Sequence, residues 1–300
     1  VFRMNQITDT LLMIKPKQFR FNEETAATNI FQRENFSSEK NAAKEFDDFV
    51  KLLRENEIEV LLFDEEQTHD TPDCVFPNNW LATINSSVFL FPMLAQNRRM
   101  ERRNDILNFL QKKFHLTAND SLLHFEEENK FLEGTGAIVL DRKNKTAYGN
   151  ISSRCDETAL KNFCEKIDFS PVLFHARSPD GNEVYHTNVL MSIGESVAVI
   201  CDSWIHNEEE KKSVINSLKK NHSVVQLTSE LVFSFAGNML LVKNKSGDKF
   251  WVMSSQAFHS LNENQISVLK HDGEILHSDI STIERLGGGS ARCMLAEIFY

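Results

Sequence analysis

The segment Glu39–Glu55, EKNAAKEFDDFVKLLRE, is the clearest helical pattern in the chain. Its apolar residues recur at i, i+3, i+4 and i+7, which places them on one face of a helix. They are Phe46, Phe49, Val50 and Leu53. Four later segments have similar spacing and are predicted as helices: Arg98–Phe114, Asp156–Ile167, Glu208–Lys220 and Ser255–Lys270. The five starts are about 59, 58, 52 and 47 residues apart, so the sequence predicts one strand-rich unit with one helix, repeated five times.

Short apolar runs of about 4–7 residues separate these helices and are typical of strands. They are Thr10–Ile14, Ile58–Phe63, Val88–Phe91, Ala137–Leu140, Pro171–Phe174, Val197–Cys201, Val224–Leu227, Met239–Val242, Phe250–Met253 and Cys293–Phe299. Alternating strands and helices predict an α/β protein. A doubly wound sheet is the alternative, but the Gly-rich phosphate motifs G-x-G-x-x-G and G-x-x-x-x-G-K-[ST] do not occur. Since no Pro-rich or low-complexity linker divides the sequence, residues 1–300 are predicted to form one domain.

Composition excludes several classes of protein. Of 300 residues, 41% are hydrophobic and 25% charged, which is ordinary for a globular chain with a sizeable core. The net charge of −10 disfavours a nucleic-acid binder or a polybasic membrane binder. No apolar run approaches the ~20 residues of a membrane helix and no signal pattern stands at the start, so we expect a cytoplasmic protein. Five scattered cysteines without a C-x-x-C pair disfavour a disulfide framework or a thiolate zinc site.

The C-terminal stretch LGGGSARCML, residues 286–295, is the first candidate for chemistry. Its three glycines let the backbone approach a ligand closely, and they lead to Cys293 at the start of a predicted apolar strand. A thiol at such a junction is a candidate nucleophile. The alternative is a flexible turn followed by a buried structural cysteine.

Three further segments combine polar side chains with turn residues. Glu133 is followed by glycines in FLEGTGA, just before a predicted strand. His186 stands two residues before Asn188 in YHTNVLM, and on a strand both would face the same side. The sequence FPNNW places Asn78 and Asn79 in a turn after a proline. Taken singly, each segment is also typical of an ordinary turn, strand or loop.

Taken together, Glu133, His186 and Cys293, in this order and each beside Gly or Asn, resemble the guanidino-group-modifying, or pentein, superfamily. That superfamily includes arginine deiminases, dimethylarginine hydrolases and amidinotransferases. The resemblance implies a five-bladed α/β propeller with pseudo-fivefold ββαβ-type units, in agreement with the five-unit spacing. FPNNW at Phe76–Trp80 and LMIKP at Leu12–Pro16 look similar to the citrulline-utilisation hydrolase group, which we expect to be the nearest branch.

The resemblance implies a role for each residue that matches a motif. Cys293 would attack the central carbon of a guanidino or ureido group, and Glu133 would orient the imidazole of His186. His186 would protonate the departing amine and then activate water. Arg154, in a Ser-x-Arg motif, would hold the substrate carboxylate. Such an enzyme needs no metal and no organic cofactor; its partner is a small-molecule substrate, and a homodimer is compatible with the family.

The chain departs from the deiminase pattern where the substrate is gripped. Deiminases place aspartates at the positions of Asn79 and Asn188, and commonly a third at Gly136. A buried guanidinium would lose its counter-charges here, which is costly, whereas a neutral ureido group needs none. We therefore expect a substrate such as citrulline, hydrolysed to ornithine, ammonia and carbon dioxide, with Phe76 and Asn78 lining the same site.

Three other functions remain open from the sequence. An arginine or methylarginine deiminase would act on the guanidino group, and an amidinotransferase would use an amine as acceptor in place of water. A non-catalytic propeller would serve as a binding module. The polar segment Phe19–Phe36, before the first helix, either covers the site or is an ordinary surface connection.

Overall fold

The part of the chain that the structure describes forms five three-stranded sheets. The computed structural model describes residues 4–17, 19–33, 39–65 and 68–300. The strands in this part are β1 (Thr10–Lys15), β2 (Glu59–Asp64), β3 (Leu81–Ile84), β4 (Ser87–Leu90), β5 (Thr117–Asn119), β6 (Ile138–Asp141), β7 (Thr146–Asn150), β8 (Ser170–Phe174), β9 (Met191–Ile193), β10 (Val197–Ile200), β11 (Ser223–Gln226), β12 (Leu240–Lys243), β13 (Lys249–Ser254), β14 (Glu274–Ser278) and β15 (Ala296–Glu297). The helices are α1 (Glu23–Ala26), α2 (Glu39–Glu55), α3 (Gln96–Arg99), α4 (Asn104–Phe114), α5 (Gly134–Ala137), α6 (Glu157–Ile167), α7 (Glu208–Lys219), α8 (Ser229–Phe233), α9 (Ser255–Ser260), α10 (Glu263–Leu269) and α11 (Ser281–Gly287).

Every sheet has the same topology. Its first strand pairs antiparallel with the second, and the second pairs parallel with the third after a helical crossover, as in β6–β7–α6–β8. A parallel pair needs such a long connection, and a helix supplies it. The sheets are β3-β4-β5, β6-β7-β8, β9-β10-β11, β12-β13-β14 and β15-β1-β2. The predicted five-bladed α/β propeller of ββαβ-type units is therefore confirmed.

The two ends of the chain share one blade. The C-terminal strand β15 pairs antiparallel with β1, with Leu11 opposite Glu297 and Leu12 opposite Ala296. The Oγ1 of Thr8 donates to the carbonyl of Ile298 at 2.6 Å. This pairing closes the propeller and fixes Cys293, which lies three residues before β15.

The longer helices pack against the sheets through one apolar face, as α2 does against β2 and β14. In α2, Phe46, Phe49 and Leu53 are fully buried, as their spacing predicts. Burying each such side chain contributes about 1.5–3 kcal/mol to the stability of the fold. Helix α6 begins after Asp156, whose carboxylate accepts the amide N–H of Ala159, and ends at Asp168 in the left-handed conformation (φ 59°).

Three predicted elements differ in the structure. Helix Arg98–Phe114 begins only at Asn104, because Arg98 belongs to the separate turn α3 and its side chain is directed inward. Helix Ser255–Lys270 is divided between α9 and α10, because Asn262 forms a capping box that starts a new helix. Strand Cys293–Phe299 is reduced to Ala296–Glu297, because the Cys293 amide donates to the Ser290 carbonyl in a tight 3₁₀ turn.

Candidate active site

Five short turns, one per blade, converge on the site. Each turn directly precedes the first strand of its sheet. In every turn, one residue stands two or three positions before the start of that strand; these residues are Asn79, Gly136, Asn188, Asn238 and Cys293. Asn188 and Asn238 contact Cys293, and Asn79 lies beside Gly136, because a turn stands at the same place in every blade. The site is therefore the product of the pseudo-fivefold repeat.

His186 and Glu133 form a buried pair. The Nε2 of His186 lies 2.8 Å from Oε2 of Glu133, and Arg154 approaches the same oxygen at 3.4 Å. Burial raises the pKa of the Glu133 carboxyl, but Arg154 and His186 outweigh it and hold this pKa well below its usual range. Burial lowers the pKa of His186 to about 4, although Glu133 opposes that change. The imidazole is neutral at pH 7, and with Nε2 donating to the carboxylate, Nδ1 is left as the base.

Cys293 lies in the 3₁₀ turn Ala291–Met294 and is only 4% exposed. The Nδ2 atoms of Asn238 and Asn188 lie 3.3 Å and 3.6 Å from its sulfur. The turn follows the glycines predicted to give close approach: a Cβ at Gly287 would stand 2.7 Å from the ring of Phe76. Two amides and a glycine-lined loop therefore surround the sulfur.

Arg98 fixes the orientation of Asn79. Its Nη1 donates to Oδ1 of Asn79 at 2.6 Å, while Glu101 accepts from Nε and Nη2 at 2.9 Å each. Because a guanidinium only donates, the amide oxygen must face Arg98. The Nδ2 of Asn79 is directed to the other side, where a Cβ on Gly136 would lie 2.3 Å from it and 2.8 Å from His186. Asn79 therefore presents a donor beside His186, and Gly136 leaves the room for it.

Asp73 adds an acceptor. Its Oδ2 accepts from Asn22 at 2.8 Å and from Thr25 at 3.0 Å. Its Oδ1 is buried and has no hydrogen-bond partner within the described residues. Asp73 lines a small cavity together with Cys293 and His186.

The structure brings the predicted residues into one place. Those that line the cavity are Phe76, Asn79, Arg154, His186 and Cys293. Three lie behind this layer: Glu133 behind His186, Asn188 beside the sulfur, and Asn78, whose Oδ1 accepts from Asn79 at 3.1 Å. His186 and Asn188 do not share a strand, because Thr187–Val189 forms a 3₁₀ turn.

Arg154 is held by the protein. Its Nη2 donates to Oγ1 of Thr28 at 2.6 Å and to the carbonyl of Thr25 at 2.9 Å, and its guanidinium lies over the ring of Tyr185. Thr25 and Thr28 belong to the segment Phe19–Phe36, of which residues 34–36 lie outside the described residues. The described part of this segment also supplies Asn29 to the cavity. This part therefore borders the site.

Sequence reasoning assigned no site role to Arg98, Tyr185 or Asn238, and it offered Asp73 only as a nearby carboxylate that could compensate for an Asn-for-Asp change. Asn238 had a signal: the sequences NVL, NML and CML repeat the same pattern at Asn188, Asn238 and Cys293. Asp73 stands only three residues before Phe76, the first residue of the FPNNW motif. Arg98 had none, because a buried arginine within a helical pattern is visible only through its folded contacts.

One family model covers nearly the whole chain. The family model for eukaryotic N,N-dimethylarginine dimethylhydrolase matches residues 15–300. The chain belongs to this family. The family is named for a hydrolase that acts on dimethylarginine. The match therefore confirms two predictions at the level of the family: membership of the pentein superfamily, and an enzyme that hydrolyses C–N bonds. Citrulline-utilisation enzymes as the nearest branch remain a prediction.

Solved structures of the superfamily share the fold. ArgZ, an arginine dihydrolase from the ornithine–ammonia cycle in cyanobacteria, aligns with a TM-score of 0.76 and 14% identity. The alignment covers 97% of this chain and 41% of that one, so the chain spans less than half of full-length ArgZ. The N-terminal domain of ArgZ, in a cysteine-to-serine variant bound to substrate, aligns over 96% of this chain and 97% of its own. A dimethylarginine dimethylaminohydrolase adduct with S-methyl-L-thiocitrulline aligns with a TM-score of 0.66 and 10% identity, over 97% and 100%.

The comparison with curated protein sequences gave no match. Among the described helices, none is long and apolar enough to cross a membrane.

Proposed function

We propose that this member of the dimethylarginine dimethylhydrolase family hydrolyses a ureido amino acid, with citrulline as the preferred substrate. The products are ornithine, ammonia and carbon dioxide. One catalytic domain, residues 1–300, carries the reaction, and the catalytic residues are Cys293, His186 and Glu133.

The reaction begins when the sulfur of Cys293 attacks the ureido carbon. The thiol proton passes to Nδ1 of His186, which is neutral because burial lowers its pKa to about 4. The imidazolium gives this proton to the departing amine, so ammonia leaves and a thiocarbamate on Cys293 remains. Glu133 stabilises the transient imidazolium through Nε2. Water, activated by His186, then cleaves the C–S bond, and the released carbamate yields ornithine and carbon dioxide.

The orientation of Asn79 carries the choice of substrate. Arg98 occupies the Asn79 oxygen, so the side chain offers an N–H donor beside His186. A ureido group has a carbonyl oxygen that accepts such a bond, whereas a guanidinium has only donors in the same place. A site that donates to the substrate discriminates strongly against an analogue without the acceptor.

Arginine or a methylated arginine is the second candidate substrate, and the position of Asp73 in the cavity favours it. The free Oδ1 of this buried carboxylate could pair with a guanidinium. The arginine dihydrolase named among the similar structures acts on arginine by its name. In the citrulline reading, Asp73 accepts instead from a ureido N–H or from the α-ammonium group.

Product analysis separates these readings. Citrulline, arginine and dimethylarginine are supplied in parallel to the native protein and to Cys293→Ala, and ornithine, citrulline and ammonia are measured. We expect ornithine and ammonia from citrulline alone, and none from the variant. Citrulline formed from arginine would overturn the substrate assignment but keep the nucleophile; a product that requires an added amine would make the enzyme a transferase.

A further inference from the structure

Asn238 lies close to the sulfur of Cys293, and no sequence motif gave it a role. It comes from the fourth blade, just before β12, and only 1% of its surface is exposed. Its Nδ2 lies 3.3 Å from Sγ of Cys293 and 3.0 Å from the carbonyl of Asn188. Its Oδ1 accepts the amide N–H of Arg292 at 3.1 Å. One side chain thus joins the turns of three blades.

The contacts define which way the amide faces. Oδ1 must face Arg292, since a backbone N–H can only donate, and Nδ2 must face Asn188, since a carbonyl can only accept. One N–H of Nδ2 serves that carbonyl, and the second is available to the sulfur. Sγ also lies 3.6 Å from Oδ1, so the thiol can donate to the oxygen it shares with Arg292.

We propose that Asn238 stabilises the reactive thiolate of Cys293 by donating a hydrogen bond to it. This inference rests on Cys293 being the nucleophile of the proposed function. A hydrogen bond to an ionised acceptor is roughly twice as strong as one between neutral groups. The nearer Nδ2 therefore favours the thiolate over the thiol, which can donate only to the more distant amide oxygens, Oδ1 of Asn238 at 3.6 Å and Oδ1 of Asn188 at 3.9 Å. Stabilising the ionised form of a cysteine increases its reactivity at neutral pH.

Within the described residues, the hydrogen-bond partners of Sγ are the amides of Asn188 and Asn238, and neither of them is a cation. The Nδ2 of Asn188 is farther away, at 3.6 Å, and also approaches the carbonyl of Thr135 at 3.3 Å. Asn238 is thus the principal hydrogen-bond donor to the sulfur. When the thiol proton passes to His186, the sulfur becomes negatively charged and accepts this hydrogen bond from Nδ2 of Asn238.

The test is the pH dependence of Cys293 alkylation by iodoacetamide, followed by mass spectrometry of the peptide that contains it. Alkylation needs no amino-acid substrate, so the test is independent of whether citrulline is turned over. In Asn238→Ala we expect the midpoint of the alkylation profile to rise by about one pH unit and the rate at pH 7 to fall about 5–10-fold. In Asn238→Ser, which keeps a smaller donor, we expect an intermediate profile.

Asn150→Ala is the matched control. Asn150 is also fully buried and joins two backbone groups, Val184 and Ala176, but does not touch the sulfur. It should lose comparable stability and keep the native alkylation profile. An unchanged midpoint in Asn238→Ala, or the same shift in Asn150→Ala, would overturn the proposal. If Asn238→Ala does not fold, the midpoint of Asn238→Ser decides in the same way.

Discussion

Two walls of the cavity, each taken together with the residues directly behind it, differ in their chemistry. One, the Arg98 wall, consists of Asp73, Asn79, Arg98 and Glu101 and contains a buried ion pair. The other, the Cys293 wall, consists of Cys293 with the amides of Asn188 and Asn238. In the first wall charges orient a neutral amide, and in the second neutral amides surround an ionisable sulfur. Buried charge in the Arg98 wall therefore holds an amide in position, whereas the groups beside the reacting sulfur are uncharged amide donors.

The largest effect is expected at the sulfur itself. Cys293→Ala should lower turnover by about 10⁴-fold or more, because the covalent step is lost while the Arg98 wall stays intact. Substrate binding should persist and is checked by calorimetry with citrulline. Cys164→Ala, which removes another buried thiol in α6, should retain activity. Turnover by Cys293→Ala at native rates would show that the chemistry lies in the other wall.

Gly136→Ala tests the space between Asn79 of the Arg98 wall and His186. The new Cβ would stand 2.3 Å from Nδ2 of Asn79 and 2.8 Å from His186. Both groups would have to move, and a displacement of about 1 Å can cost 10²-fold in rate. We expect a loss of this size in kcat, measured with citrulline, and a thermal unfolding midpoint close to native. Native kcat would mean that neither group needs its present position.

Asn79→Asp changes the Arg98 wall alone. One oxygen would still accept from Arg98, and the other would replace the N–H donor beside His186 by a charged acceptor. Because a buried site rejects a ligand that leaves polar groups unpaired, kcat/KM for citrulline should fall about 10²-fold. The ratio of arginine to citrulline turnover should rise. Asn78→Asp, at the neighbour that does not line the cavity, is the matched comparison and should change the ratio less.

The smallest effect concerns pH and stability. His186 has a pKa of about 4 in the folded protein because burial lowers it, against ~6.5 when unfolded. Between these values the unfolded chain binds more protons, so the native state loses stability as pH falls from 6.5 to 4. This loss amounts to roughly 2–3 kcal/mol. In urea unfolding, His186→Gln should depend less on pH across this window, and an identical slope would contradict the assignment.

The sequence predicts the fivefold repeat better than it predicts how the two ends of the chain pair to close the propeller. The even spacing of apolar faces indicates five units, because each helix must cover its own sheet. The short strands β5 and β9 have too few residues for a period-two pattern, and β15 pairs over only two residues, Ala296 and Glu297. Closure by β15 depends on β1, almost a whole chain away.

The same limit applies to the site. Glu133, His186 and Cys293 are visible because glycine and asparagine accompany them in a recognisable order. Arg98 and Asn238 act through contacts 19 and 55 residues away in sequence, with Asn79 and Cys293. The direction of the Asn79 amide could not be read from its own turn, since it depends on the guanidinium that arrives from α3.

Trapping the covalent intermediate tests the central claim most directly. The protein is mixed with citrulline or with arginine, quenched in acid, and the peptide that contains Cys293 is analysed by mass spectrometry. We predict an adduct equal in mass to citrulline less one ammonia, and an unmodified peptide with arginine. An adduct equal to arginine less one ammonia, with citrulline leaving the peptide unmodified, would contradict the assignment of a ureido substrate.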